Sequence, residues 1–405
     1  MSIKSLLFIV LISFCKDFYF AQSYKSLKKG NWSAHLVLNE NTKLPFKLII
    51  SGSKKRPIFT ILNAEEKIEL SSIKTINDSF QIDFPHFHSY LRFVVKNKEY
   101  IDGFWTNLNK GNDYRIQFFA SCEPSFNETG SMPLDLTGRW KTTFSPNTDK
   151  SELAIGVFKS NAYQITGTFL TETGDYRFLD GFNYNNKMYI SCFDGSRAFL
   201  FTASLEGDQL NGTFYSGKHY STPFIASRDE KFELRNPDSL TYVVKNEPFS
   251  FKIKDLEGKE YNFPNEKTKN KVSIIQITGS WCPNCLDEAR FLKEMSAKYK
   301  ESGLEIISVC YETPTNFEEQ VQKVKLLKSR MNLDFTFLIG GQANKALASE
   351  QFSNLNQIIS FPTAIFIDKN GQVAKIHTGF NGPGTGDIYT NFTKETELLI
   401  QGLLK

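Results

Sequence analysis

Two patterns of apolar and polar positions divide the chain. From about residue 22 to 235, short runs alternate with a period of two, and Asn, Asp, Gly and Ser turns separate them. Phe46-Lys-Leu-Ile-Ile50, Ser79-Phe-Gln-Ile-Asp-Phe84 and Tyr163-Gln-Ile-Thr-Gly-Thr-Phe169 are examples. This alternation predicts half-buried strands, and no helical period of useful length interrupts it. The region also repeats itself. Gly30-Asn-Trp32 resembles Gly138-Arg-Trp140, and Asp102-Gly103-Phe-Trp105 resembles Asn211-Gly212-Thr-Phe-Tyr215. Tyr114 leads to Phe119-Ala-Ser121 as Tyr220 leads to Ile225-Ala-Ser227. Trp32 to Gly103 spans 71 residues and Trp140 to Gly212 spans 72. The expectation is two copies of an all-β module, 22–130 and 131–235, each a small barrel or sandwich of ordinary domain size.

After a polar linker at 236–247 the pattern changes. Phe249-Ser-Phe-Lys-Ile-Lys-Asp255 and Glu260-Tyr-Asn-Phe263 predict a hairpin, and 272–278 is a near-continuous apolar strand. Cys285, Ala289, Leu292, Met295 and Tyr299 then recur at three- and four-residue steps, which predicts a helix to about Lys300. A strand at 304–310, a helix at 316–331, a strand at 335–339, a helix at 344–351, strands within 358–368 and at 373–377, and a helix at 388–404 follow. Strands alternating with helices predict a central sheet covered on both faces, so a third, α/β domain at 248–405.

Lys4 followed by the apolar run from Leu6 to Phe14 reads as a secretory signal, residues 1–21, cut after Ala21. The run is shorter than the roughly 20 apolar residues of a membrane span. The expectation is an exported, periplasmic protein; anchoring through the N-terminus or a lipid on Cys15 is the alternative, for which Phe14 is a poor fit. Removal of the signal leaves Cys122, Cys192, Cys282, Cys285 and Cys310, too few for a disulfide scaffold and odd in number. Cys122 and Cys192 fall in different copies, and both pairing and separate thiols remain open. Cys310 reads as an apolar filler. His86 and His88, two apart in a predicted strand, share a face but lack the neighbours of a metal site. The net charge of +4 is small and its signs are interspersed, which argues against nucleic acid as a partner.

The sharpest chemistry lies in Ile274-Ile-Gln-Ile-Thr-Gly-Ser-Trp-Cys-Pro-Asn-Cys285, a strand and turn that deliver two cysteines to a helix start. Free backbone N–H groups and the positive helix end stabilise a thiolate at Cys282, and cysteine pairs in this setting titrate below a free thiol. Outside the cytoplasm an isolated CxxC reads as catalytic.

From these residues, 246–405 resembles the thioredoxin fold, and within it the exported TlpA/ResA/CcmG-like thiol–disulfide oxidoreductases. Trp281-Cys-Pro-Asn-Cys285 matches the Trp-Cys-x-x-Cys site, Phe361-Pro-Thr363 the loop with a cis proline facing it, and Phe366-Ile-Asp-Lys-Asn-Gly371 the strand and turn beyond. Glu288 matches the acid of the ResA-like branch. Gln276 stands where thioredoxin itself has a buried Asp, and a helix–strand–helix span is added between Cys310 and Pro362. The resemblance implies a redox-active disulfide between Cys282 and Cys285. Cys282, at the exposed end, attacks a substrate disulfide, Cys285, one helical step deeper, resolves the mixed disulfide, and Glu288 holds or accepts the Cys285 proton. Trp281, Pro283, Phe361 and Pro362 contact substrate. Partners are then protein disulfides or thiols and a membrane electron donor, with no cofactor; the oligomeric state is open.

Two other readings compete. A copper-handling protein would use the cysteine pair with His377, and a β-module binding protein would carry the last domain as a passenger. The Pro-x-x-x-Thr-x-x-Cys motif of a peroxiredoxin is absent, since Ile275 and Gly279 occupy the relevant positions. A structural zinc site lacks a second cysteine pair.

Overall fold

The computed structural model describes residues 24–123, 132–245 and 247–405, so the predicted signal at 1–21 lies outside the described residues. In the first nine-stranded sheet, running from Gly30–Asn39 to Arg115–Ser121, consecutive strands pair antiparallel and the first strand also pairs with the last. The meander stays open between Glu66–Leu70 and Ile73–Ile76, which do not pair, so it is a half-open barrel. The second sheet, from Gly138–Phe144 to Tyr220–Arg228, follows the same path but closes. Its strand Gln164–Thr171 pairs with both Glu152–Asn161 and Leu179–Tyr184, giving a ring with the short Gly174–Asp175 appended. Closure removes the exposed edges that a free sheet would present.

The repeated residues have repeated structural jobs. Gly30 and Gly138 open their strands at φ of 118° and 121°, a backbone region that disfavours a side chain. Two residues on, the indole N–H of buried Trp32 donates to the Lys28 carbonyl at 2.9 Å, and that of Trp140 donates to Leu136 at 3.0 Å. Each large ring is thereby buried with its one polar atom satisfied. Gly103 and Gly212 sit where strands pack too closely for a β-carbon, which would lie 2.0 Å from the Arg92 carbonyl oxygen and 2.5 Å from that of Thr202. Inside the closed barrel Phe144, Phe169, Phe201, Phe214 and Phe224 pack ring against ring. The barrel interior is therefore a packed core.

The two β units form one block. Phe193 of the second enters the first, 4.8 Å from the Phe46 ring, 5.1 Å from Trp105 and 5.5 Å from Phe84. Asn63 exchanges two 3.1 Å hydrogen bonds with the Phe193 backbone. Among the described residues Cys122, Cys192 and Cys310 form no disulfide, so Cys122 and Cys192 do not pair with each other. His86 and His88 lie in the bend between Ser79–Asp83 and Ser89–Asn97, not in a strand, which corrects the expectation that they share a pleated face.

The last seven strands form a single sheet around Val272–Thr278, whose seven residues are all buried. It is flanked by Leu304–Glu312, parallel, and Thr363–Ile367, antiparallel. The helices are α1 (Pro283–Tyr299), α2 (Phe317–Met331), α3 (Lys345–Gln351) and α4 (Asp387–Leu404). The added span between Cys310 and Pro362 contributes α2, the strand Thr336–Gln342 and α3; that strand extends the sheet parallel to Leu304–Glu312. Two successive parallel crossovers run in the same direction along the sheet, which by the right-handed rule for such connections puts α1 and α2 on one face. Leu286, Leu292, Val324 and Leu327 accordingly share one core, while Ala348 of α3 belongs to the core of the other face.

Replacing Gly103 by Val should cost more than about 2 kcal/mol, because a branched side chain collides with backbone that cannot yield. Urea denaturation measures this, and a variant as stable as the parent would contradict the close approach.

Candidate functional site

The apolar strand Val272–Thr278 ends at Gly279-Ser280, and the chain turns through Trp281 into α1. Cys282 is the N-cap residue of that helix: its Sγ accepts the Cys285 N–H at 3.3 Å. Pro283 takes the first helical position, where its missing N–H is no loss. The two sulfurs lie at disulfide distance, with the Cα atoms 5.2 Å apart.

The loop before Thr363–Ile367 faces the pair. The Phe361–Pro362 peptide is cis, and the Phe361 carbonyl oxygen is 3.5 Å from Cys282 Sγ. The Trp281 indole N–H donates to the Tyr311 carbonyl at 2.9 Å, and the ring meets Phe361 edge-on at 6.0 Å. Phe361 in turn stacks on Tyr311 at 5.3 Å. Residues separated by 80 positions in the chain thus meet around one sulfur.

Glu288 lies one turn below, 1 % exposed. Gln276 donates to its Oε2 at 2.9 Å, and the same amide nitrogen reaches the Cys285 carbonyl at 3.4 Å; Ser308 Oγ donates to the Gln276 oxygen. Among the described residues Glu288 Oε1 has no hydrogen-bond partner. Burial pushes this carboxyl up to about 8, against the weaker opposing pull of the Gln276 hydrogen bond. Gln276, in the position of thioredoxin's buried Asp, here serves as the partner of Glu288.

Sequence reading missed two sets of residues. Glu312, fully buried at the end of its strand, accepts Ser280 N–H at 2.8 Å and Ser280 Oγ–H at 2.6 Å. Burial raises it to about 7, although the Ser280 hydrogen bonds act the other way. A single acid at a strand end gives no sequence signal. The second set comes from the closed barrel. Ser196 Oγ donates to the Trp281 carbonyl at 3.0 Å, Arg177 reaches the Pro283 carbonyl at 3.4 Å, and Asn284 Nδ2 donates to Asp175 Oδ1 at 2.9 Å. As a result Cys282, expected at an exposed end, is only 3 % exposed, and Cys285 is wholly buried.

His377 is engaged elsewhere. Its Nδ1 is 2.6 Å from Asp238 Oδ1 and its ring lies 4.5 Å from Phe392. Among the described residues no group of three or more His, Cys, Asp or Glu is arranged to hold a metal ion.

A strand, a turn, a helix-capping cysteine pair and an opposed cis-proline loop define a thioredoxin-fold redox domain. The Redoxin family model matches residues 221–391. ResA thiol-disulfide oxidoreductase of Geobacillus thermodenitrificans is 31 % identical over 129 residues, 32 % of this chain and 66 % of the relative. ResA of Bacillus cereus is 30 % identical over 149 residues, 36 % of this chain and 70 % of the relative. The chain thus spans about two thirds of the length of the curated relatives it matches. A putative thiol:disulfide interchange protein DsbE from Chlorobium tepidum is similar in structure at 20 % identity and a TM-score of 0.30, over 39 % of this chain and 95 % of that one. The chain belongs to the TlpA/ResA-like family of thiol–disulfide oxidoreductases, through its C-terminal domain.

A carboxyl raised from its usual value to about 8 lowers folding stability as pH climbs, because the unfolded chain ionises near 4.5 while the folded one stays protonated. Below 4.5 both forms are neutral, and above 8 both are ionised. Glu288→Gln removes this fall. The stability of the variant relative to the parent should therefore rise between pH 5 and 8, by at most about 1.4 kcal/mol per pH unit, and level off above. Urea denaturation at several pH values measures it; a pH-independent difference would contradict the burial of Glu288.

Proposed function

We propose that the protein is an exported protein-disulfide reductase. Cys282 Sγ, as thiolate, attacks a substrate disulfide; that S–S bond breaks, one substrate sulfur leaves as thiolate, and a mixed disulfide forms. Cys285 then gives up its proton and attacks Cys282 Sγ, which releases the second substrate thiolate. Two electrons pass to the substrate, and the Cys282–Cys285 disulfide remains. Glu288, in its ionised fraction, takes the Cys285 proton: its value near 8 lies close to that of a thiol, so the transfer costs little and becomes more available as pH rises toward 8. Trp281, Pro283, Phe361 and Pro362 form the surface that meets substrate.

The observation that carries the direction of electron flow is the burial of both sulfurs. A disulfide is neutral, whereas the reduced pair must carry a thiolate to react. A dry site disfavours the charged form and so favours the disulfide, which makes the dithiol a willing donor. A single backbone N–H to Cys282 is modest compensation. Return to the dithiol requires a reductant, and a membrane electron donor of dithiol type fits a protein whose first 21 residues read as an export signal. Protein disulfides are the substrate class, and the names of the ResA relatives support thiol–disulfide exchange. The division into modules 22–130 and 131–235, linker 236–247 and redox domain 248–405 belongs to this reading.

Insulin reduction with dithiothreitol as donor tests it. Cys282→Ser should lose activity by more than 100-fold. Cys285→Ser should stall as a mixed disulfide between Cys282 and insulin, visible by mass spectrometry, because the resolving sulfur is gone. Unchanged turnover in Cys282→Ser would overturn the assignment.

A further inference from the structure

The face through which a disulfide must approach Cys282 is already occupied by the chain itself. The segment 173–177 of the closed barrel runs across it. Thr173 O lies 3.5 Å from Ser360 Oγ, next to the proline loop, and Gly174 forms an isolated parallel bridge with Phe380. Asp175 Oδ1 accepts both Asn284 Nδ2 at 2.9 Å and Gly382 N–H at 3.0 Å, while Arg177 pairs with Asp287 of α1. Ser196, from a second loop of the same barrel, caps the Trp281 carbonyl. The fit leaves no room for a methyl group: a β-carbon on Gly379 would lie 2.3 Å from Thr173 O, and one on Gly174 2.9 Å from Phe380 O. Thiol–disulfide exchange needs a sulfur to approach along the axis of the bond it breaks, and a cysteine 3 % exposed offers no such path to a protein.

The connection between the two halves is narrow. Glu233 and Arg235 are tied to the barrel through Arg139 and Glu172, whereas Asp238 is tied to the redox domain through Lys375 and His377. Only Asn236 and Pro237 separate these anchors. The segment 173–177 and Ser196 hold the site through hydrogen bonds and ion pairs, which water can replace at lower cost than it can wet an apolar core, whereas the apolar cluster that joins the half-open barrel to Leu286 and Phe291 of α1 must part when the block swings.

We propose that the closed barrel is a lid on the redox site, and that Cys282 reacts only after the β block swings away about Asn236-Pro237. Substrate and the 173–177 segment compete for one surface, so the resting chain is self-inhibited. This rests on the redox reading of Cys282 and Cys285 above.

Stopped-flow reduction of the oxidised full-length chain by dithiothreitol tests it; the reagent closes to its cyclic disulfide and delivers the two electrons that open Cys282–Cys285. If opening gates the reaction, the observed rate levels off as dithiothreitol rises, and reduced thioredoxin as donor reaches the same ceiling. Gly174→Val, which wedges the lid without touching the cysteines, should raise that ceiling at least tenfold. A rate that stays proportional to donor concentration, or a folded Gly174→Val chain with an unchanged ceiling, would overturn the lid. If Gly174→Val fails to fold, the kinetics of the unaltered chain still decide. Failure of the redox reading looks different: no disulfide that dithiothreitol opens and an oxidant restores.

Discussion

One buried guanidinium holds the three parts of this molecule in place. Arg177, on the closed barrel, is 5 % exposed and pairs with Glu66 of the half-open barrel and Asp287 of α1, with Asp194 of its own barrel 3.5 Å away. Carrying a charge out of water costs several kcal/mol, and only close partners offset it. Here the partners belong to different folding units, so the charge is satisfied only when all of them are docked. Arg177 is accordingly held well above its ordinary value, with burial opposed by Asp287, Glu66 and Asp194. Undocking gives each of these groups back to water, which makes the arrangement specific without making it permanent.

The same docking determines the electrostatics of the cysteines. Alone, the start of α1 would present Cys282 to solvent, with helix N–H groups favouring a thiolate. Under the barrel, the helix end still provides the Cys285 N–H, but water is excluded and the neutral disulfide gains. Glu288, buried within the redox domain itself against Gln276, holds its proton to about pH 8. In the proposed reaction, redox preference and substrate access both follow from one feature, the cover over the site.

Much of the redox domain was legible because its signals are local. A β-branched strand, a Gly-Ser turn and a proline at the first helical position specify α1 and the place of Cys282 within a few residues. The Phe361-Pro362 loop was legible through family resemblance, since no local pattern ties it to a cysteine some 80 residues earlier. The β repeat was legible in Gly30, Trp32, Gly103 and their counterparts, whose spacing is preserved because each fills the same corner of a meander. Which copy closes was not legible; closure depends on whether two particular strand edges meet. Nor were Asp175, Arg177 and Ser196 readable as neighbours of the site, for domain docking leaves no periodicity in a sequence. Burial of Cys282 reversed a sequence expectation for that reason. His86 and His88 misled because alternation continued by chance into a bend.

The preference of Cys282 and Cys285 for the disulfide is the property on which reduction of a substrate depends. Equilibrating the full-length chain in graded thiol–disulfide buffers and counting free thiols gives the potential of the pair. One reversible two-electron transition is expected below about −220 mV, where burial has favoured the neutral form. A transition near −120 mV, the range of proteins whose dithiol is the stabilised state, or no reversible transition at all, would contradict it.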